Sequence, residues 1–359
     1  MTWNDEFHPS DHRGRPPGGG RSVREERKMA IEAESVAALY EQLKRRLADV
    51  YPDAELFLKA ELAYEINRLK KEKNALILGH NYMEPALYHA VPDLVGDSLE
   101  LARRAAETDR PIIVFLGVHF MAETAKILNP DKTVLIPALG AGCSLAESLT
   151  ADDVRRLKAA YPGAPVVAYV NTSAEVKAES EICCTSSNAA RVVASLDAET
   201  VIFIPDQYLA ANVAREVPDK TIVAWTGRCI VHEQFSVEDV TAARRQFPDV
   251  VVLAHPECPP DVVAAADFSG STAAMIRFVR EHPARRVMLL TECAMGDNIA
   301  AENPDKEILR LSCRRCPYMQ MITLEATLEA LRELRYPVEV PEPVRSRARR
   351  ALERMLAIA

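Results

Sequence analysis

The chain carries eight cysteines: Cys143, Cys183, Cys184, Cys229, Cys258, Cys293, Cys313 and Cys316. Three of them, Cys143, Cys229 and Cys316, fall 86 and 87 residues apart, each just beyond a short apolar run. Brought together, three thiolates make a metal site. A structural zinc takes a fourth ligand, and an iron–sulfur cluster usually takes four cysteines. A [4Fe–4S] cluster on three cysteines leaves one iron open to bind substrate as a Lewis acid, like the open position of catalytic zinc. Cys316 is followed by Pro317, as in many cluster-binding segments. The CxxC of Cys313 and Cys316 also suits a redox pair or half a zinc site. Several of the other cysteines read as buried small apolar residues. Cys313 reads as a packed thiol or a resolving partner.

A second set of residues recurs with the cysteines. His80-Asn81-Tyr82, Tyr169-Val170-Asn171 and His255-Pro256-Glu257 each end an apolar run. Ser98, Ser186, Ser271 and Thr272 stand where a strand-to-helix turn is expected. A hydroxyl beside free backbone N–H groups there binds carboxylate or phosphate, although any one of them alone is an ordinary helix cap. Three matched places, each below a polar strand tip, point to a polyanionic ligand. A lone histidine is more often a structural hydrogen-bonder, which is the reading for His119. His232 lies three residues past Cys229 and reads equally as structural or as part of the site.

These residues need elements to position them, and the elements repeat. Asn129–Cys143 (NPDKTVLIPALGAGC) is echoed by Val217–Cys229 (VPDKTIVAWTGRC) and by Asn303–Cys316 (NPDKEILRLSCRRC). Upstream of each lie FLGVHFM, FIPDQYL and LLTECAM, then GDSLELARRA, TSSNAARVVA and GSTAAMIRFV. Each unit reads strand, polar tip, helix, strand, helix, strand, cysteine. Nine apolar runs alternating with amphipathic stretches predict parallel α/β architecture. In such sheets ligands sit at the carboxyl ends of the strands. Three αβα (Rossmann-like) domains with short parallel sheets around a pseudo-threefold axis would gather the tips and the cysteines in one cavity. The expected domains are 72–160, 161–246 and 247–335. A disordered extension is expected over 1–29, N-terminal helices broken at Pro52 over 30–71, and a C-terminal helix within 336–359.

Composition frames this reading. The 359 residues, 48% hydrophobic and 27% charged, suit a globular protein and exclude a mostly disordered chain or a small disulfide scaffold. A net charge of −8 offers no footprint for nucleic acid. No run approaches a membrane span, and the first residues lack the apolar core of a signal peptide. A cytoplasmic location, without a membrane or nucleic-acid partner, is expected.

Taken in order, LGHNY, GDSLELA, AGCSLAE, AYVNTSAEVKA, CTSSNA, GRC with a histidine three on, AHPEC, GST and CPYM closely resemble the quinolinate synthase family, the A proteins of bacterial de novo NAD synthesis. The similarity covers roughly Ala75 to Leu331. It implies condensation of iminoaspartate with dihydroxyacetone phosphate to quinolinate, phosphate and water. It implies a [4Fe–4S] cluster on Cys143, Cys229 and Cys316. It also implies a substrate-binding and catalytic set of His80, Tyr82, Ser98, Tyr169, Asn171, Ser186, His232, His255, Glu257, Ser271 and Thr272. A transient contact with L-aspartate oxidase or dehydrogenase would supply iminoaspartate. Within this scheme Tyr82 and His80 handle protons. Glu257 is the candidate general acid/base, its pKa expected to rise toward neutrality through burial. Family members with a longer cysteine-rich third segment contrast with the bare Cys-Arg-Arg-Cys here. The repeat register favours Cys316 over Cys313 as the ligand. Two alternatives stand beside this reading. One is a diphthamide-synthesis-like enzyme that cleaves S-adenosylmethionine to a radical; the other is a non-catalytic iron–sulfur sensor or electron carrier.

Overall fold

A computed structural model describes residues 32–358, so the expected extension over 1–29 lies outside the described residues. Two helices come first among the described residues, α1 (Val36–Leu47) and α2 (Asp53–Glu72), with Pro52 at the α2 N-terminus. Leu39, Leu43 and Leu47 recur every four residues on α1 and are fully buried.

The first repeat then runs β1 (Ala75–His80), α3 (Pro85–Ala90), β2 (Leu94–Gly96), α4 (Ser98–Glu107), β3 (Ile112–Leu116), α5 (His119–Leu128), β4 (Thr133–Leu135) and α6 (Ser144–Glu147). The second runs α7 (Ala151–Ala160), β5 (Val166–Tyr169), α8 (Ala174–Ala178), β6 (Ile182–Cys184), α9 (Ala189–Ala194), β7 (Thr200–Ile204), α10 (Gln207–Glu216) and β8 (Thr221–Ala224). The third runs α11 (Val237–Gln246), β9 (Val251–Ala254), α12 (Pro260–Ala265), β10 (Phe268–Ser269), α13 (Thr272–Glu281), β11 (Arg286–Leu290), α14 (Cys293–Glu302) and β12 (Glu307–Leu309). Helices α15 (Leu324–Glu333) and α16 (Val344–Ala357) follow, α15 against α2 and α16 against α8 and β6.

Three separate four-stranded sheets result, ordered β2-β1-β3-β4, β6-β5-β7-β8 and β10-β9-β11-β12, every pairing parallel. The fold is therefore mixed α/β, three αβα layers with terminal helices. Among the described residues twelve strands replace the nine expected from apolar runs. The additions, β2, β6 and β10, are edge strands of two or three residues, too short to show as a run. The central strands β1 and β5 are buried along their whole length, as sheets covered on both faces require.

Two devices recur in all three repeats and explain the shared register. The lysine of each PDK triplet grips carbonyls that follow the helix before last, α4, α9 or α13: Lys132 that of Thr108, Lys220 those of Leu196 and Ala198, Lys306 those of His282 and Ala284. A carboxylate also takes the N–H of each repeat's first strand: Asp93 from Ile77 (2.8 Å), Glu181 from Val166 (2.5 Å) and Asp267 from Val252 (2.8 Å). Each charge ties strand to helix, at an edge where a backbone group would otherwise lack a partner. Among the described residues no helix is long and apolar enough to cross a membrane.

Candidate functional site

The three cysteines are placed by one backbone bond used three times. The first residue of α5, α10 and α14 donates its N–H to a carbonyl two residues before the cysteine. His119 donates to Ala141 (2.7 Å), Gln207 to Gly227 (2.8 Å) and Cys293 to Arg314 (2.9 Å). Cys143, Cys229 and Cys316 follow at equal distance along the chain, so Cys316 and not Cys313 occupies the third place. Cys313 is instead disulfide-bonded to Cys293, while Cys316 carries a free thiol. Cys183, Cys184 and Cys258 are buried thiols.

Each thiol then receives two backbone N–H groups from the turn that follows it. The donors are Leu145 and Ala146 for Cys143, Val231 and His232 for Cys229, and Tyr318 and Met319 for Cys316. Such N–H groups stabilise negative sulfur. Burial works against them: it pushes the Cys143 thiol up to about 12 and raises those of Cys229 and Cys316. Protonated thiols with donors aimed at sulfur fit a cation that would displace the proton, so the donor set is compatible with a metal cofactor. The sulfur of Cys229, a His232 nitrogen and a Glu257 oxygen also lie within 4.8 Å of one another.

All three cysteines line one cavity, together with His80, Tyr82, Ser98, Tyr169, Asn171, Ser186, His232, His255, Glu257 and Thr272. The structure thus gathers every residue expected at the site except Ser271, which caps α13 through Ala274 N–H and faces the adjoining cleft. Ser98 is the first residue of α4, whose cap is Asp97. His119 lies outside the cavity, partly exposed, its ring 3.7 Å from Glu123.

The tips of the first and third repeats are built alike. His80 Nδ1 accepts the N–H of Tyr82, and His255 Nδ1 that of Glu257, both at 3.3 Å. Burial holds the two imidazoles down to about 4 and about 3 respectively, so both are neutral, with Nε2 as the protonated nitrogen. The second repeat has Tyr169 in the equivalent place. Its hydroxyl donates to Glu257 Oε1 at 2.5 Å, and burial lifts it far above the ordinary phenol range.

Glu257 departs from expectation. Burial alone would raise its carboxyl, but His232 and His255, with hydrogen bonds from His232 and Tyr169, outweigh burial and hold it below the usual carboxylate range. Glu257 is a carboxylate clamped by partners, not an acid poised near neutrality. His232 belongs to the site: its Nδ1 lies 2.8 Å from Glu257 Oε2 and 3.2 Å from Cys229 Sγ, and its Nε2 3.0 Å from Thr291 Oγ1. The Tyr82 hydroxyl lies 2.6 Å from the same Thr291 oxygen. A continuous chain therefore runs Tyr82–Thr291–His232–Glu257–Tyr169.

Thr291 and Glu292 are cavity or network residues that the sequence reading did not single out. Glu292 caps α14 through Ala294 N–H (2.7 Å), takes the N–H of Cys316 (3.4 Å), and is pushed by burial to about 7. Its counterpart Asp206 caps α10, fully buried, with Oδ2 lacking a partner. The repeat alignment was the signal for this pair, obscured because the first repeat has Val118 there.

Comparison with known proteins matches residues 64–357 to the family model described as quinolinate synthetase A protein. Relatives named quinolinate synthase share much of the chain. One from Mesorhizobium japonicum, quinolinate synthase 1, is 54% identical over 92% of this chain and 100% of its own. The relative from Agrobacterium fabrum is 55% identical over 90% and 92%, and that from Xylella fastidiosa 58% identical over 82% and 86%.

Proposed function

The chain belongs to the quinolinate synthetase A protein family, and we propose that it condenses iminoaspartate with dihydroxyacetone phosphate, releasing quinolinate, one phosphate and two waters. In this reading a [4Fe–4S] cluster is held by Cys143, Cys229 and Cys316. The supporting observation is the thrice-repeated thiol with two N–H donors, on a cavity otherwise walled by hydroxyls, neutral imidazoles and one clamped carboxylate. With three protein ligands, such a cluster supplies a Lewis-acidic iron for substrate oxygen or nitrogen.

The chain's own residues do the rest. Ser98, Ser186, Asn171 and Thr272 hold the carboxylates and the phosphate, with Ser271 behind them at the α13 cap. Asn81 fixes the Thr272 hydroxyl through a 2.9 Å hydrogen bond. His80 and His255 present Nε2–H to developing negative charge, and being neutral they leave anion binding without a proton to lose. The Tyr82–Thr291–His232–Glu257–Tyr169 chain holds protons at both ends of the cavity. It can pass them to and from the substrate during triose isomerisation and the two dehydrations. Glu257 acts by orienting His232 and Tyr169 and by holding a negative charge between them. We place the reaction in the cytoplasm, supplied by transient contact with L-aspartate oxidase or dehydrogenase.

Anaerobic reconstitution followed by measurement of quinolinate tests the reading; product is expected only from iron-loaded protein. Glu257→Gln should lower kcat about 100-fold, the usual weight of acid–base catalysis. Turnover within about threefold of wild type, under ~1 kcal/mol of barrier, would remove Glu257 from the chemistry.

A further inference from the structure

A second cleft adjoins the cavity, and the scheme above draws on none of its arginines. It has a volume of about 570 Å³ and shares Asp97 and Ser186 with the cavity as a common wall. Arg191 on α9, Arg215 on α10 and Arg277 on α13 line it. Arg191 reaches the carbonyl of Ser187 (3.5 Å) and Arg215 that of Pro260 (2.7 Å). Nearby Arg244 is paired with Asp267, whereas none of these three has a carboxylate partner among the described residues. Of the cleft's two acids, Asp97 is already engaged: it caps α4 and accepts the Ser187 hydroxyl at 2.7 Å. Glu216 is exposed. Three unpaired guanidinium groups thus collect on a chain whose net charge is −8.

From the three guanidinium groups and the wall shared with the cavity we propose that the cleft is a staging site for a phosphomonoester, the triose phosphate on its way to the cavity. This rests on the reaction proposed above. Guanidinium groups bind phosphate through paired N–H donors. Their field raises the local concentration of the dianion at the cavity wall.

The triple variant R191Q/R215Q/R277Q tests this in the assembled holoenzyme. At low ionic strength kcat/KM for dihydroxyacetone phosphate should fall about tenfold, while kcat and iron content hold. Wild type should approach the variant as salt is added, and the variant should respond little. Equilibrium dialysis with inorganic phosphate gives a readout that needs no turnover: binding that salt competes away in wild type should be missing in the variant. Unchanged kcat/KM with unchanged salt dependence overturns the proposal. So does an equal loss for iminoaspartate, which would make the cleft an unselective anion port, or phosphate binding equal in both proteins. If wild type makes no quinolinate, the reaction reading fails on its own, and dialysis alone decides the cleft.

Discussion

The second and third repeats fasten their cysteines differently on the same backbone. In the second, Gln207 N–H holds the Gly227 carbonyl, and Arg228 Nε donates to Gln207 Oε1 at 3.1 Å. In the third, the equivalent Cys293 makes the same backbone bond and adds a covalent link to Cys313, while Glu292 takes the N–H of Cys316. Backbone register thus places the sulfur, and side chains only secure the loop around it. A hydrogen bond does this in one repeat; a disulfide and a buried carboxyl do it in the other.

If register is what matters, Cys229→Ser and Cys316→Ser should be equally severe despite their different surroundings. Each should lose the cluster chromophore and all activity, read as iron per chain and visible absorption. Iron retained by Cys316→Ser but lost by Cys313→Ser would break the comparison. Opening the disulfide should cost stability and spare the ligand. Cys293→Ser closes no loop of 20 residues, a loss of about 3 kcal/mol by the chain-entropy account, read by denaturant unfolding of iron-free protein. Its holo form should keep its iron.

Glu292 sharpens the contrast through pH. Burial lifts its folded value to about 7 from an ordinary 4.5. Between those values the unfolded chain has lost the proton that the folded chain keeps. Wild-type stability should therefore fall as pH rises from about 4.5 to about 7, by on the order of 2–3 kcal/mol, and level off above. Glu292→Gln should flatten that slope in iron-free protein; an unaltered slope would show that Glu292 is not the group responsible. The smallest effect belongs to the second repeat. Gln207→Ala removes one partly exposed hydrogen bond and should change stability by under about 1 kcal/mol, with iron unchanged.

The repeat made much of this legible in sequence. The PDK lysines, the tips and the cysteine spacing all kept register, and each physical device behind them falls at a fixed offset. What escaped did so for identifiable reasons. Strands β2, β6 and β10 are held by pairing to their neighbours and not by apolar content. The clamp on Glu257 depends on Tyr169 and His232, which lie in another repeat, so burial alone gave the wrong sign. Cys293 meets Cys313 only because α14 begins beside the strand end that carries the cysteine loop, a contact that no CxxC spacing reveals.

The bonds that close the cavity span far more chain than those that build the sheets. Ala75 pairs with Ile112 within β1 and β3. Asn81 meets Thr272 across 191 residues, Tyr82 meets Thr291 across 209, and Asn298 meets the Met83 carbonyl across 215. Loop-closure entropy delays such contacts, so each sheet can form from its own segment while the chain is still being made. The cavity is then the last part to assemble and, by the same logic, the first to open. Pulse-labelled hydrogen exchange would register this as early protection in β1, β5 and β9, with late protection at the amides of Tyr82 and Glu257. A damaged or half-made copy of this protein would retain most of its secondary structure while lacking the assembled cavity, so under the proposed function iron content would report completed folding more stringently than circular dichroism does.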